Sequence, residues 1–216
     1  MAGLSSQEIE KKARALLASS GIVLLGWFKT EEGRAALLLG NIGGSLWPAF
    51  STSGFPNDGV PDPMNRWTQN ICDQVAAELK AEVRYPFAKP VWPFQRYAMA
   101  ATGMQPSPLG ILIHPEYGLW VALRAAMVFE EPIEISLPPE RQRPCNNCKD
   151  KPCLSTCPVS AFSTNGYAVD QCRAHLASGD GSACLDGGCL ARRACPVGRI
   201  YAYESGQQRF HMAVLA

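Results

Sequence analysis

The chain has 216 residues, 47% of them apolar, enough for one or two domains with a real core. Lys plus Arg number 20 against 19 Asp plus Glu. The net charge of +1 excludes a polyanion binder working by bulk charge and an acidic disordered tail, so no nucleic-acid partner is expected, although a local basic patch stays open.

Ser5-Ser6-Gln7-Glu8 fits a capping box, and the helix it starts runs to about Ser19 with Ile9, Ala13, Leu16 and Leu17 apolar. The first seventeen residues lack an apolar stretch behind a basic start, so a cytoplasmic location is expected. Strands follow over Ile22–Phe28 and Ala35–Leu39. The Gly-, Pro- and Ser-rich stretch Gly40–Asp62 reads as loop. Trp67, Ile71, Val75 and Leu79 recur every four residues and predict a helix over Pro63–Ala81, with a shorter one over Phe94–Ala101. Further strands are expected at Ile111–Ile113, Leu119–Phe129 and Ile133–Ser136. The apolar runs, such as Leu119–Leu123, are too short to span a bilayer, so no membrane partner is expected.

The polar, proline-rich stretch Leu137–Pro144 marks a boundary. It divides an α/β domain over 1–140 from a cysteine domain over 141–200. The tail, 201–216, carries Phe210, Met212, Val214 and Leu215 and is expected to pack back onto the first domain. The whole is of α+β class.

Eight of the nine cysteines fall between Cys145 and Cys195. The first run is Cys145-x2-Cys148-x4-Cys153-x3-Cys157-Pro158. The second is Cys172, then Cys184-x4-Cys189-x5-Cys195-Pro196. Both contain Cys-Leu followed within a few residues by Cys-Pro-Val. In a reducing compartment such clustering points to metal. Three readings are open: iron–sulfur clusters, zinc and disulfides. Zinc sites are usually two Cys-x2-Cys or Cys/His pairs, and only one Cys-x2-Cys exists here; neither zinc nor disulfides explains two related runs ending in Cys-Pro.

These runs resemble the bacterial two-cluster ferredoxin pattern, in which three closely spaced cysteines bind one cluster and the fourth, followed by Pro, binds the other. The spacing between Cys148 and Cys153 is wider than in that pattern, and the second run is wider still. Carried over, the resemblance implies two 4Fe–4S clusters, one on Cys145, Cys148, Cys153 and Cys195, the other on Cys157, Cys172, Cys184 and Cys189. Cys72, beside Ile71 and Val75, reads as a small buried apolar residue.

The segment Gly103-Met104…Leu109-Gly110-Ile111-Leu112-Ile113-His114-Pro115-Glu116-Tyr117-Gly118-Leu119-Trp120 resembles a stretch of the epoxyqueuosine reductase family. The order of elements before and after it agrees, and cobalamin-dependent reductive dehalogenases share the layout. The resemblance implies a nitroreductase-like α/β first domain that holds cobalamin, or less readily flavin, above the nearer cluster, and an oligomer is compatible with it. It offers Gly103, Tyr117 and Gly118 as cofactor-binding residues. The acidic residue the reductases carry before the helix leading into the Gly turn has no counterpart in Lys89–Arg96, so transfer-RNA activity is not expected.

Other polar residues have ordinary readings beside functional ones. His114 could face a cofactor or be a structural histidine. Tyr117 could be a general acid or a packed ring. Arg96 and Arg124 could meet an anion or simply be solvated. Trp47, Trp67, Trp92 and Trp120 suit a core. The expected function is therefore an iron–sulfur protein that transfers single electrons between a donor or acceptor protein and either a partner or its own first domain. The alternative is a cobalamin- or flavin-dependent oxidoreductase of a small substrate.

Overall fold

The structure, a computed structural model, describes residues 4–163 and 166–215. Contacts within the chain divide it into two units. The first runs to Gly103 and resumes over Ala122–Glu140; the second comprises Met104–Val121 and the chain from Arg141 onward.

The first unit opens with α1, Ser6–Leu17. The Ser5 hydroxyl accepts the Glu8 N–H while the Glu8 carboxylate accepts the Ser5 N–H, so two of the end groups a helix leaves unpaired are satisfied. Ile9, Ala13 and Leu17, four residues apart, form its buried face, which packs on α3, Pro63–Leu79. Strands β1, Val23–Lys29, and β2, Ala35–Ile42, pair antiparallel. They join β3, Glu82–Arg84, and β6, Val121–Val128, in a four-stranded sheet of order β1-β2-β6-β3. Helix α4, Phe94–Thr102, packs on β1, where Gly26 at a bulge lets the Ala101 carbonyl come close. Trp27, Phe28, Phe50 and Trp67 fill the core, with Phe28 stacked on Tyr97 at 4.5 Å.

Two expectations fail in this unit. The Gly40–Asp62 stretch holds helix α2, Trp47–Thr52, and a 3₁₀ turn over Phe55–Asn57. Phe50 is fully buried with its ring 5.5 Å from Trp67, and burial of that aromatic outweighs the loop-like composition, while Pro48 sits in the first turn, where proline is tolerated. The expected strand Ile133–Ser136 does not form; residues 130–143 contain no helix or strand. Ile133 and Ile135 are half-buried at period two, but Pro132, Pro138 and Pro139 remove ladder donors around them.

The second unit is mostly turns and short helices. Strands β4, Gln105–Pro106, and β5, Leu112–Ile113, pair antiparallel, as do β7, Phe162–Ser163, and β8, Gly166–Tyr167. The helices are α5, Pro152–Ser155; α6, Val169–Ala177; α7, Ser182–Gly187; α8, Leu190–Arg193; and α9, Ser205–Ala213. Helix α5 packs on α8, and α7 on α9. The tail therefore has a partner inside its own unit: Met212 is buried with Leu176 and Cys184. Among the described residues no helix is long and apolar enough to cross a membrane.

Candidate metal centre

Cys145, Cys148, Cys153 and Cys195 line one cavity in the second unit, together with Ile113 and Val197. Cys153 is close enough to the other three for their charges to act on its thiol. A second gathering forms around α6, α7 and α8. Cys184 feels Cys157 and Cys172, Cys189 feels Cys184 and Cys172, and the Tyr167 hydroxyl bonds to Cys172 with Cys157 and Cys189 nearby. Each quartet thus contains one cysteine from the other's sequence run: Cys195 stands with the first three, Cys157 with the later ones. The two adjoin, because Cys157 and Cys189 pack against the apolar cluster of Leu109, Ile113, Leu119, Ala191, Cys153 and Cys195. None of the nine cysteines is in a disulfide. Among the described residues no three His, Cys, Asp or Glu side chains are drawn tightly enough together to grip a single ion.

Main-chain donors converge on the sulfurs. The N–H of Ala161 lies 3.3 Å from Cys157 Sγ. Cys184 accepts from Leu190, Cys189 from Ala191 and Arg192, and Cys195 from Val197. The local chain makes this possible: Cys189 precedes α8, so the first N–H groups of that helix, which lack helical partners, turn to its sulfur. Burial nonetheless pushes the thiols of Cys153, Cys184, Cys189 and Cys195 above their ordinary range, with neighbouring cysteines adding in the same direction. Buried thiols whose pKa is raised in this way shed their protons readily only in exchange for a cation.

The segment offered by sequence for a cofactor braces this centre. Gly118, at φ +61°, lies so close to Val197 that a Cβ there would strike the Val197 carbonyl oxygen and come within 2.7 Å of its carbon. Gly198, at φ +69°, meets the Tyr117 carbonyl in the same way. Two left-handed glycines back to back therefore seat the turn that follows Cys195. His114 and Gly118 exchange backbone hydrogen bonds of 2.8 and 3.0 Å. His114 Nδ1 accepts the N–H groups of Glu116 and Tyr117, both at 3.1 Å, which places its proton on Nε2. Burial, with Arg141 adding to it, pulls its pKa below the ordinary histidine value. The Tyr117 ring stacks on His114 at 4.4 Å and takes the edge of Tyr201 at 4.9 Å. Gly103 ends α4 at φ +71°, a common helix terminator.

Three residues that sequence reasoning passed over belong to this centre. Tyr167 stacks on Phe162 at 4.7 Å and bonds to Cys172. Gly198 would have been legible from the run Cys195-Pro196-Val197-Gly198. Arg192 lies between the rings of Trp120 and Tyr203, 4.5 and 4.6 Å from their centres, and donates from Nε and Nη2 to the Leu119 carbonyl at 3.1 and 2.6 Å. Of the other candidates, Arg96 is exposed and paired with Glu31, and Arg124 is buried with its Nε on Asn41 at 3.0 Å.

No family model matches the chain, and no curated protein matches it. Solved structures do. A C. elegans B12-trafficking protein, CblC, a human MMACHC homologue, superposes with a TM-score of 0.56 over 95% of this chain and 91% of its own, at 15% identity. Epoxyqueuosine reductase with a modified tRNA stem loop superposes with a TM-score of 0.52 over 92% of this chain and 67% of its own, at 12% identity. Epoxyqueuosine reductase from Bacillus subtilis gives 0.47 at 14% identity, with this chain spanning 50% of its length. At these identities the likeness is one of fold: the chain is an α+β protein built like the B12-trafficking protein and like 67% of the length of an epoxyqueuosine reductase.

Proposed function

We propose that this chain is an electron-transfer protein built to hold two 4Fe–4S clusters, one on Cys145, Cys148, Cys153 and Cys195 and one on Cys157, Cys172, Cys184 and Cys189. The observation that carries the reading is the gathering of eight thiols into two quartets that exchange one member between sequence runs. Zinc would hold its ligands about 2.3 Å from one ion, and therefore within about 4 Å of each other. Among the described residues no three His, Cys, Asp or Glu side chains are placed to hold a single ion in that way. The N–H groups aimed at Cys157, Cys184, Cys189 and Cys195 add the sulfur hydrogen bonding by which proteins set cluster potential.

When bound, the clusters supply one-electron redox centres. The chain's own residues would hold the eight thiols, give four of them backbone donors, and exclude water with Leu109, Ile113 and Leu119. Because the quartets share that apolar cluster, an electron reaching one is within a few side chains of the other. Anaerobic preparation followed by iron and acid-labile sulfide assay is the test. About eight of each per chain is expected from two four-cysteine clusters. About four of each, or stoichiometric zinc, overturns the reading. Cys195→Ala and Cys189→Ala are expected to remove about four iron atoms each, with different paramagnetic signals surviving.

A second reading is favoured by the fold likeness to a B12-trafficking protein: the first unit handles a corrinoid, and the chain is a reductase of a small substrate. Gly103, Tyr117 and Gly118 are the residues the sequence offers for that group, and Tyr117 and Gly118 also contact His114 and Val197. A saturable change in the electron paramagnetic resonance of cob(II)alamin on titration with the protein supports this reading, and an unchanged spectrum ends it.

A further inference from the structure

The solvent-facing edge of the first quartet carries an unbalanced charge. Cys153 and Cys195 are less than a tenth exposed, whereas Cys145 and Cys148 are only half-buried. The eleven residues 141–151 carry Arg141, Arg143, Lys149 and Lys151 against one carboxylate, Asp150, a net +3 in a chain whose total is +1. Arg143, Lys149 and Lys151 line one recess with Cys145 and Cys148. None of the three makes an ion pair among the described residues, and Arg143 buries its Nε without an acceptor.

We infer that this recess is the docking surface for an acidic one-electron carrier protein, one whose redox group is rimmed by carboxylates. The inference rests on the two-cluster reading. Electron tunnelling falls steeply with distance, so a donor must bring its group to the exposed edge of a quartet, and the Cys145–Cys148 edge is where the cations stand. Exposed lysines gain little from balancing a buried charge through water, but they attract an approaching anionic surface and raise its rate of encounter. Redox encounters are small and short-lived, so such charge acts on association more than on affinity.

The test is stopped-flow reduction of the iron-loaded protein by reduced flavodoxin, an acidic donor, between about 0.02 and 0.5 M salt. The second-order rate is expected to fall about tenfold or more across that range. Lys149→Glu is expected to lower the low-salt rate by about three- to tenfold, Lys149→Gln by less, and Lys149→Arg hardly at all, with the differences vanishing at high salt. Reduction by photoreduced deazaflavin, which needs no docking, should be equal in all four proteins. A fully loaded protein whose flavodoxin rate ignores salt, or a Lys149→Glu variant equal to wild type, overturns the docking surface and leaves the clusters standing. A wild type that binds no iron overturns both. If Lys149→Glu keeps its reduction rate but loses binding to a labelled RNA hairpin, the patch belongs to nucleic acid and the proposal falls.

Discussion

Gly118→Ala tests the link between the His114–Gly118 turn and Cys195. Alanine at φ +61° costs about 1–2 kcal/mol of left-handed strain. Its Cβ would also press on the Val197 carbonyl, 2.7 Å from the carbon, and because both sides are backbone the clash is relieved only by moving the 196–198 turn. Overpacking of that kind costs about 1–3 kcal/mol, giving roughly 2–5 kcal/mol in all. Gly110→Ala is the control: its φ is +76°, but nothing lies within 4 Å of the position its Cβ would take, so only the strain applies. Urea unfolding of the metal-free proteins should rank wild type above Gly110→Ala and Gly110→Ala above Gly118→Ala. Because the displaced turn begins one residue after Cys195, Gly118→Ala should also lose about four iron atoms per chain while Gly110→Ala keeps its full load. Equal stability and equal iron in the two variants would refute the argument that close approach, and not backbone conformation, is what requires glycine at 118.

Burial pushes the Cys72 thiol from 9.0 up to about 12, so above pH 9 the unfolded chain releases a proton the folded chain keeps. Stability is then full at neutral pH and lost as pH rises from about 9 toward 12, about 1.4 kcal/mol by pH 10; Cys72→Ala should remove that slope, and parallel pH profiles would contradict it. His114 is held neutral as an acceptor of two N–H groups, so the folded state resists protonation and stability falls as pH drops below about 6.5. His114→Phe keeps a ring for Tyr117 but orphans both donors; a cost of about 2 kcal/mol in urea unfolding is expected, with the acid-side slope abolished. Arg192→Lys keeps the charge but loses the fork on the Leu119 carbonyl and the flat contact with Trp120 and Tyr203, and should cost about 1–3 kcal/mol with a changed near-ultraviolet signal from Trp120.

Local signals were legible where they were self-contained. The Ser5–Glu8 box, the α3 stripe and the short helix before Gly103 needed only neighbouring residues to identify them. The α3 face is nonetheless rotated from the plain four-residue stripe: Thr68, Cys72 and Ala76 are buried beside Trp67, Val75 and Leu79, and Ile71 is only half-buried. Helix α2 was not legible, because composition counts Gly, Pro and Ser but not the cavity that Phe50 fills. The segment Ile133–Ser136 failed for the converse reason: its alternation is strand-like, and a strand needs a partner edge that sequence does not supply. At the centre, the resemblance carried by the Cys-Pro steps led to the expectation that Cys157 and Cys195 cross between runs, and the proposal keeps that assignment. The role of Gly118 and Gly198 depends on two turns about eighty residues apart meeting backbone to backbone, which no spacing within either turn encodes.

The second unit is stitched from two stretches of chain, with Ala122–Glu140 returning to the first unit between them. Leu109, Ile113 and Leu119, which pack with Cys153 and Cys195, come from the earlier stretch. A fragment beginning at Arg141 would contain every clustered cysteine and still lack half the wall behind them, so the cysteine unit is not a cassette that can be cut out or grafted. The same interlacing orders events during synthesis. Cys145 leaves the ribosome fifty residues before Cys195, and the first quartet cannot close until the last of its thiols arrives. Until then Cys145, Cys148 and Cys153 are without the fourth member of their group, and the apolar wall from the earlier stretch is what they can already pack against.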